Sequence, residues 1–164
     1  MLAAVQWNEH PVRSRGAAVS DLRAIDMAAR GNVSAQQFLH DLWHVCSELD
    51  DLHDKDKVVD VERLTWRVLV DLPSNAFYLA NFSVLQPIVR VMVLNWVTSN
   101  RLQTQAPALA YTLRSSFNEI VTTVALLIGG RDWAQTICDK TWLEEHEAEP
   151  FEEYLKEAQN GRVD

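Results

Sequence analysis

The stretch that decides the fold lies near the middle of the chain, where Ser83–Asn100 reads SVLQPIVRVMVLNWVTSN. Apolar residues fall on nearly every side of a helix drawn through it, and such a helix is normally buried. Gln86, Arg90 and Asn95 interrupt the run, so it predicts a core helix and not a membrane span. We therefore expect an all-α protein whose other helices surround this one.

Helical patterns flank this stretch on both sides. Apolar residues recur at spacings of three and four from Phe38 onward, which is typical of an amphipathic helix. Pro73-Ser74-Asn75 and Gly129-Gly130 indicate helix ends, because proline interrupts the helical hydrogen bonds and glycine readily adopts a left-handed conformation. The sequence predicts a compact multi-helix bundle of about six to seven helices around the central apolar helix, Ser83–Asn100.

Length and composition are those of one ordinary soluble domain. The chain has 164 residues, of which 48% are hydrophobic and 23% charged. We assign residues 1–18 to a flexible N-terminal arm and 19–160 to a single all-α domain. Cys46 and Cys138 form no CxxC pair, and the first residues lack a basic start followed by an apolar run. We therefore expect a cytoplasmic protein that does not bind membranes.

Negative charge is concentrated in two segments. The chain as a whole carries a formal charge of -8. Its acidic residues are concentrated in Glu48–Glu62 and Asp139–Glu157. No basic stripe accompanies them, which argues against nucleic-acid binding. Acidic clusters of this kind either lie in solvent or hold cations. Mimicry of a nucleic acid is a further alternative, but a charge of -8 is modest for it.

One side of the helix predicted after Phe38 carries histidines and carboxylates at helical spacing. Offsets of four, four and three place four of these side chains in one column, and two further acids flank its far end. Such carboxylates repel one another, and a divalent cation would remove the repulsion. We expect Mg²⁺ or Mn²⁺, with Zn²⁺ a weaker candidate, or else a solvated helix face. The residues of the column are His40, His44, Glu48 and Asp51, and the acids that flank its far end are Asp50 and Asp54.

A second polar stripe lies on the helix predicted from about Pro107 to Ile128. It contains Arg114, whose planar guanidinium suits a phosphate, with Asn118 and Glu119 beyond it. Glu119 is a candidate to complete the metal site together with the acids of the column. The alternative is a structural hydrogen-bond network inside the bundle.

Three short motifs resemble those of metal-dependent families. Asp50-Asp51-Leu52-His53-Asp54 resembles the first aspartate-rich motif of the isoprenoid diphosphate synthases, which implies an all-α fold with Mg²⁺ bound to a diphosphate. Glu48-x-x-Asp51 is similar to an acidic pair of the all-α nucleotide pyrophosphohydrolases, which implies Mg²⁺ around a triphosphate. Their second pair has no counterpart here, since the other helix offers Asn118 and Glu119. His40-Asp41 resembles the HD pair of metal-dependent phosphohydrolases.

These observations support two hypotheses. The first is a metal-dependent hydrolase or transferase acting on a phosphorylated small molecule, in which Glu48, Asp51, Asp54 and Glu119 bind the metal. His40 or His44 would be a ligand or general base, and Arg114 would bind phosphate.

The second hypothesis is a non-catalytic helical interaction or inhibitor protein, of phage or mobile-element type, that binds another protein or a second copy of itself. It is motivated by a surplus of large apolar residues, some of which should remain exposed. They are Trp7, Trp66, Trp96, Trp133, Trp142, Phe77 and Tyr78.

Overall fold

The computed structural model describes residues 20–55 and 57–160. Nearly all of them are helical and none belongs to a strand, which confirms the all-α class. The predicted arm over residues 1–18 lies outside the described part. None of the described helices is long and apolar enough to cross a membrane.

The first two helices, α1 (Ser20–Ala29) and α2 (Val33–Asp54), are joined by a tight turn. Gly31 has a φ of 81°, a left-handed conformation that glycine adopts without steric strain. The Asn32 side chain accepts a hydrogen bond from the backbone N–H of Ala35 and caps α2. Such a turn lets α2 fold back against α1.

The segment after α2 is a helix that widens in its middle. It begins as α3 (Val61–Trp66), passes through a π-helical turn (Arg67–Asp71) and ends as α4 (Leu72–Ser74). The Asp60 side chain caps α3 by accepting from the backbone of Arg63. The helix ends at Ser74, as the Pro73-Ser74-Asn75 pattern predicts, and its π turn directs a buried arginine, Arg67, toward α2.

The short helix α5 (Ala76–Ala80) leads into α6 (Phe82–Leu102) and α7 (Pro107–Arg114). The sequence pattern predicts one helix from Pro107 to Ile128, but the structure interrupts it at Ser115 and Ser116. The Ser115 hydroxyl donates to the carbonyl of Tyr111. Serine side chains compete for backbone groups in this way and favour helix ends over helix interiors.

The chain ends in α8 (Phe117–Ala148) and α9 (Phe151–Asn160). A kink divides α8 at Gly130, whose φ of 75° and ψ of -172° are essentially restricted to glycine. The predicted break at Gly129-Gly130 is therefore present as a kink between two helical halves.

The described core lies mainly between α1, α2 and α8, with two side chains from α6. It contains small residues such as Ala28 and Ala125, which let α1 and α8 approach closely. Cys46 and Cys138 are free, and burial raises the pKa of the Cys46 thiol to about 12. The largest apolar residues of this core are Ile25, Phe38, Leu39, Leu42, Leu85, Met92, Ile120, Val121, Val124 and Ile137.

Helix α6 differs from its expected position at the centre of the bundle. Its fully buried residues are Leu85, Met92 and Ser99, which form one narrow line at a spacing of seven. Val91 and Leu94, on other sides of the same helix, are 48% and 64% exposed. The apolar faces of α2 and α8 fill the interior instead, so α6 covers the core with one side, and the other side is left uncovered by the described residues.

Candidate functional site

The predicted column of histidines and carboxylates does lie on a helix, α2, but its members have separate partners. His40 Nε2 lies 3.0 Å from Asp26 Oδ1 on α1. Glu48 Oε1 accepts from Arg67 Nη1 at 2.9 Å, and Asp51 Oδ1 accepts from Lys57 Nζ at 3.1 Å. The repulsion that motivated a divalent cation is thus relieved, for Glu48 and Asp51, by cations of the chain itself.

Arg67 forms the more buried of the two ionic clusters on α2. Its side chain is only 7% exposed. Besides Glu48, it lies 3.6 Å from Asp41 Oδ1, and the other Asp41 oxygen accepts from Gln37 Nε2 at 3.0 Å. Arg67 and the two carboxylates fix the angle between α2 and the π turn. A buried guanidinium needs carboxylate partners to offset its loss of hydration, and the carboxylates need the guanidinium for the same reason.

His44 lies beside this cluster and is partly buried. Burial lowers its pKa below the ordinary value near 6.5, and the positive charge of Arg67 lowers it further, while Glu48 acts in the opposite direction. The imidazole is therefore held neutral near pH 7. The predicted role of His44 as a ligand or general base stays a prediction.

We expect the Arg67→Met substitution to raise the His44 pKa, because it removes a nearby positive charge and leaves Glu48 without its guanidinium. An NMR titration of the His44 ring proton measures this, with Lys57→Met as the control that should leave it unchanged. In the wild type the folded pKa is depressed, so the unfolded chain binds the proton first as the pH falls. Stability should therefore decrease as the pH drops from about 6.5 toward the folded pKa. An unchanged His44 pKa in the Arg67 variant would contradict this account.

A second cluster is centred on Asp50, which flanks the predicted column. One of its carboxylate oxygens accepts from Arg114 Nη2 at 2.9 Å, and the other accepts from Trp96 Nε1 at 3.0 Å. These bonds connect α2 to α7 and α6. Burial opposes the charge of Arg114, but the carboxylates of Asp50, Glu149 and Asp54 outweigh it and raise the Arg114 pKa. The guanidinium predicted to bind phosphate is thus paired with Asp50.

Helix α9 closes this cluster from the other side. The Arg114 guanidinium carbon lies 5.6 Å from the centre of the Tyr154 ring, and Tyr154 is 1% exposed. The Tyr111 hydroxyl donates to the backbone carbonyl of Glu149, which fastens the turn before α9. Arg114 and Tyr111 therefore hold α9 against α7.

Asn118 and Glu119, predicted to face the metal site from a second helix, lie on α8. Asn118 donates to the Glu145 carboxylate, which also belongs to α8, and burial raises the pKa of Glu145. Glu119 is exposed. Within residues 20–55 and 57–160 no group of three or more His, Cys, Asp or Glu side chains is placed to hold a metal ion.

Sequence reasoning missed the partners that organise these clusters. The sequence predicts Asp50 only as an acid that flanks the column, and it assigns no role to Arg67 or Glu145. Arg67 stands in the apolar stretch Trp66–Val70, and this position is a usable signal. If such an arginine is buried, its guanidinium needs a carboxylate partner. The choice of Asp50 over Asp51 depends on how α6 and α7 pack, which the motif does not encode.

The adjacent acids of the DDLHD motif offer a matched pair of variants. We expect Asp50→Asn to reduce the free energy of unfolding by about 1.5–3 kcal/mol, because Arg114 loses a charged hydrogen bond in a partly buried position. Asp51→Asn removes a more exposed pair with Lys57 and should cost about 0–1 kcal/mol. Urea denaturation measures both, and equal losses would show that the Asp50 cluster has no special role.

The predicted metal can be tested with the same Asp51 variant. Since Lys57 and Arg67 already neutralise Asp51 and Glu48, we expect Mg²⁺ and Mn²⁺ to shift the melting temperature of wild type and Asp51→Asn equally. Differential scanning fluorimetry over a series of metal concentrations measures the shift, with Zn²⁺ as a third arm. A wild-type stabilisation that Asp51→Asn abolishes would favour the metal site.

The uncovered side of α6 is the second notable surface. Val84, Pro87, Val91, Leu94 and Thr98 follow one another at spacings of three and four, and all five are exposed. We call these residues the outer α6 stripe. This spacing is that of the a and d positions along which two helices pack side by side. The stripe lies away from the line of buried residues that faces the core.

Other apolar side chains are exposed as well. Trp66 and Leu69, on α3 and the π turn, are 62% and 68% exposed. Of the remaining tryptophans, Trp142 is exposed and Trp43, Trp96 and Trp133 are partly buried, while Trp7 lies outside the described residues. The expected surplus of apolar side chains at the surface is thus present, and it is most regular on α6.

Comparison of the chain with models of protein families, with curated proteins and with solved structures gives no match.

Proposed function

We propose that this protein is a non-catalytic helical interaction protein whose outer α6 stripe binds a helix of another polypeptide. The observation that carries the proposal is that α6 is apolar nearly all round, yet residues 20–55 and 57–160 cover only one of its sides. A helix of this composition is normally buried on all sides. A binding partner would complete that burial.

The energetics of the stripe support a binding role. Burying a valine or leucine side chain contributes about 1.5–3 kcal/mol. Val84, Val91 and Leu94 are 44%, 48% and 64% exposed. Folding therefore leaves much of their apolar surface in water, and burying it against a partner would stabilise the complex. Contiguous exposed apolar surface of this kind usually marks an interaction site.

The geometry of the stripe suits a helix as the partner. Helix α6 (Phe82–Leu102) is about 31 Å long at 1.5 Å per residue. Side chains at a and d spacing form the ridge that fits between the side chains of a second helix. A helix docked along the stripe would therefore pack as neighbouring helices do in a bundle.

The Asp50 cluster has a positioning role in this proposal. Trp96 lies on α6, and its indole N–H is held by Asp50 of α2. Arg114, at the end of α7, is held by the same carboxylate. The first bond holds α6 from its inner side, and the second holds α7, which packs against α6. The stripe is therefore presented by a rigid element, and little order is lost on binding.

The test uses a 21-residue uncharged amphipathic peptide, with leucine at a and d positions and glutamine elsewhere, labelled with fluorescein. We expect the wild type to bind it, and the Val91→Asp/Leu94→Asp variant to lose binding at least tenfold, because two charges would be desolvated at the interface. Fluorescence anisotropy measures the affinity.

The matched control distinguishes an exposed stripe from a structural one. Val91→Asp/Leu94→Asp should change the free energy of unfolding by about 0.5 kcal/mol or less, as exposed substitutions do. Leu85→Asp, on the buried line of the same helix, should unfold the protein. A large destabilisation by the first variant, or wild-type protein that does not bind the peptide, would contradict the proposal.

A further inference from the structure

The polypeptide between Leu72 and Asn118 differs in charge from the rest of the chain. It contains no aspartate and no glutamate, and its charged residues are Arg90, Arg101 and Arg114. This segment therefore has a formal charge of +3. The rest of the chain has a formal charge of -11, and together they give the total of -8. The outer α6 stripe lies within the acid-free part.

Two of these arginines flank the stripe. Arg90 precedes Leu94 by four residues and Arg101 follows it by seven, so both lie on the same side of α6 as Leu94. Both are exposed, and no carboxylate of the described residues forms an ion pair with either. Arg114 is different, because Asp50 already pairs with it. Arg101 follows Arg90 by eleven positions, which corresponds to about 16 Å along the helix.

We infer that the partner helix is acidic, with an apolar ridge for the stripe and carboxylates beside the ridge that pair with Arg90 and Arg101. This inference rests on the proposed function and adds the chemistry of the partner. Arginine is well suited to such pairs, since its guanidinium binds a carboxylate through two parallel hydrogen bonds.

A second copy docked through its own α6 does not supply this chemistry. Two copies of α6 would bring four arginines to one interface without a single acid, and like charges at an interface are unfavourable. The acidic helix α9 already uses its Tyr154 side against α7, where Tyr154 is 1% exposed. We therefore assign the stripe to a helix of a different polypeptide.

The experiment compares two charged versions of the 21-residue leucine peptide, one with glutamate and one with lysine at the positions beside the ridge. We expect the glutamate peptide to bind the wild-type protein about tenfold or more tightly than the lysine peptide, and its affinity to fall as salt is raised. Arg90→Glu/Arg101→Glu should reverse the preference. Arg63→Glu/Arg131→Glu, which changes the net charge equally at exposed positions elsewhere, should retain it.

The outcomes separate this inference from the proposed function. Binding of the uncharged peptide without a preference for glutamate, or with a preference for lysine, overturns the acidic partner and leaves the interaction surface intact. Loss of all peptide binding overturns both. Sedimentation equilibrium of the wild type tests self-association, and a dimer that Leu94→Asp dissociates would show that a second copy covers the stripe. A monomer with the expected glutamate preference supports the inference.

Discussion

The placement of α6 and α7 against α2 depends on one carboxylate, that of Asp50. Its two oxygens accept hydrogen bonds from Trp96 on α6 and Arg114 on α7, so a single side chain of α2 holds both helices. Neither donor reaches a comparable partner within its own helix. Leaving such groups unpaired in a partly buried position is costly, and this cost favours one packing of α6 and α7 over others.

The two ionic clusters on α2 divide its acidic side between structural tasks. Arg67, in the π turn, forms ion pairs with Asp41 and Glu48. Asp50 accepts hydrogen bonds from α6 and α7. The side of α2 whose sequence resembles a metal-binding column thus forms polar contacts that hold three neighbouring elements in place: the π turn, α6 and α7. The polar groups fix the angles between helices, and the apolar residues of α1, α2 and α8 supply most of the buried surface.

Helix α6 connects this internal organisation to the proposed function. Its inner line packs on the core and its Trp96 is held by α2, while the described part of the chain leaves the outer α6 stripe uncovered. Arg90 and Arg101 add positive charge beside an apolar ridge in a segment that has no acids. Apolar surface gives affinity and charge selects the partner, so the two features together describe an acidic helix as the complement.

The sequence by itself determined the all-α class, the break at Gly129-Gly130 and the end of the helix at Ser74, because helical periodicity, proline and glycine act through local backbone geometry. It also placed the histidines and acids on one side of α2. Only the tertiary structure decided that α6 lies at the edge of the core, since an apolar pattern does not say which neighbours cover it. It likewise decided that Asp50 pairs with Arg114 and Glu48 with Arg67, because contacts between residues distant in sequence depend on how helices pack and not on their individual periods.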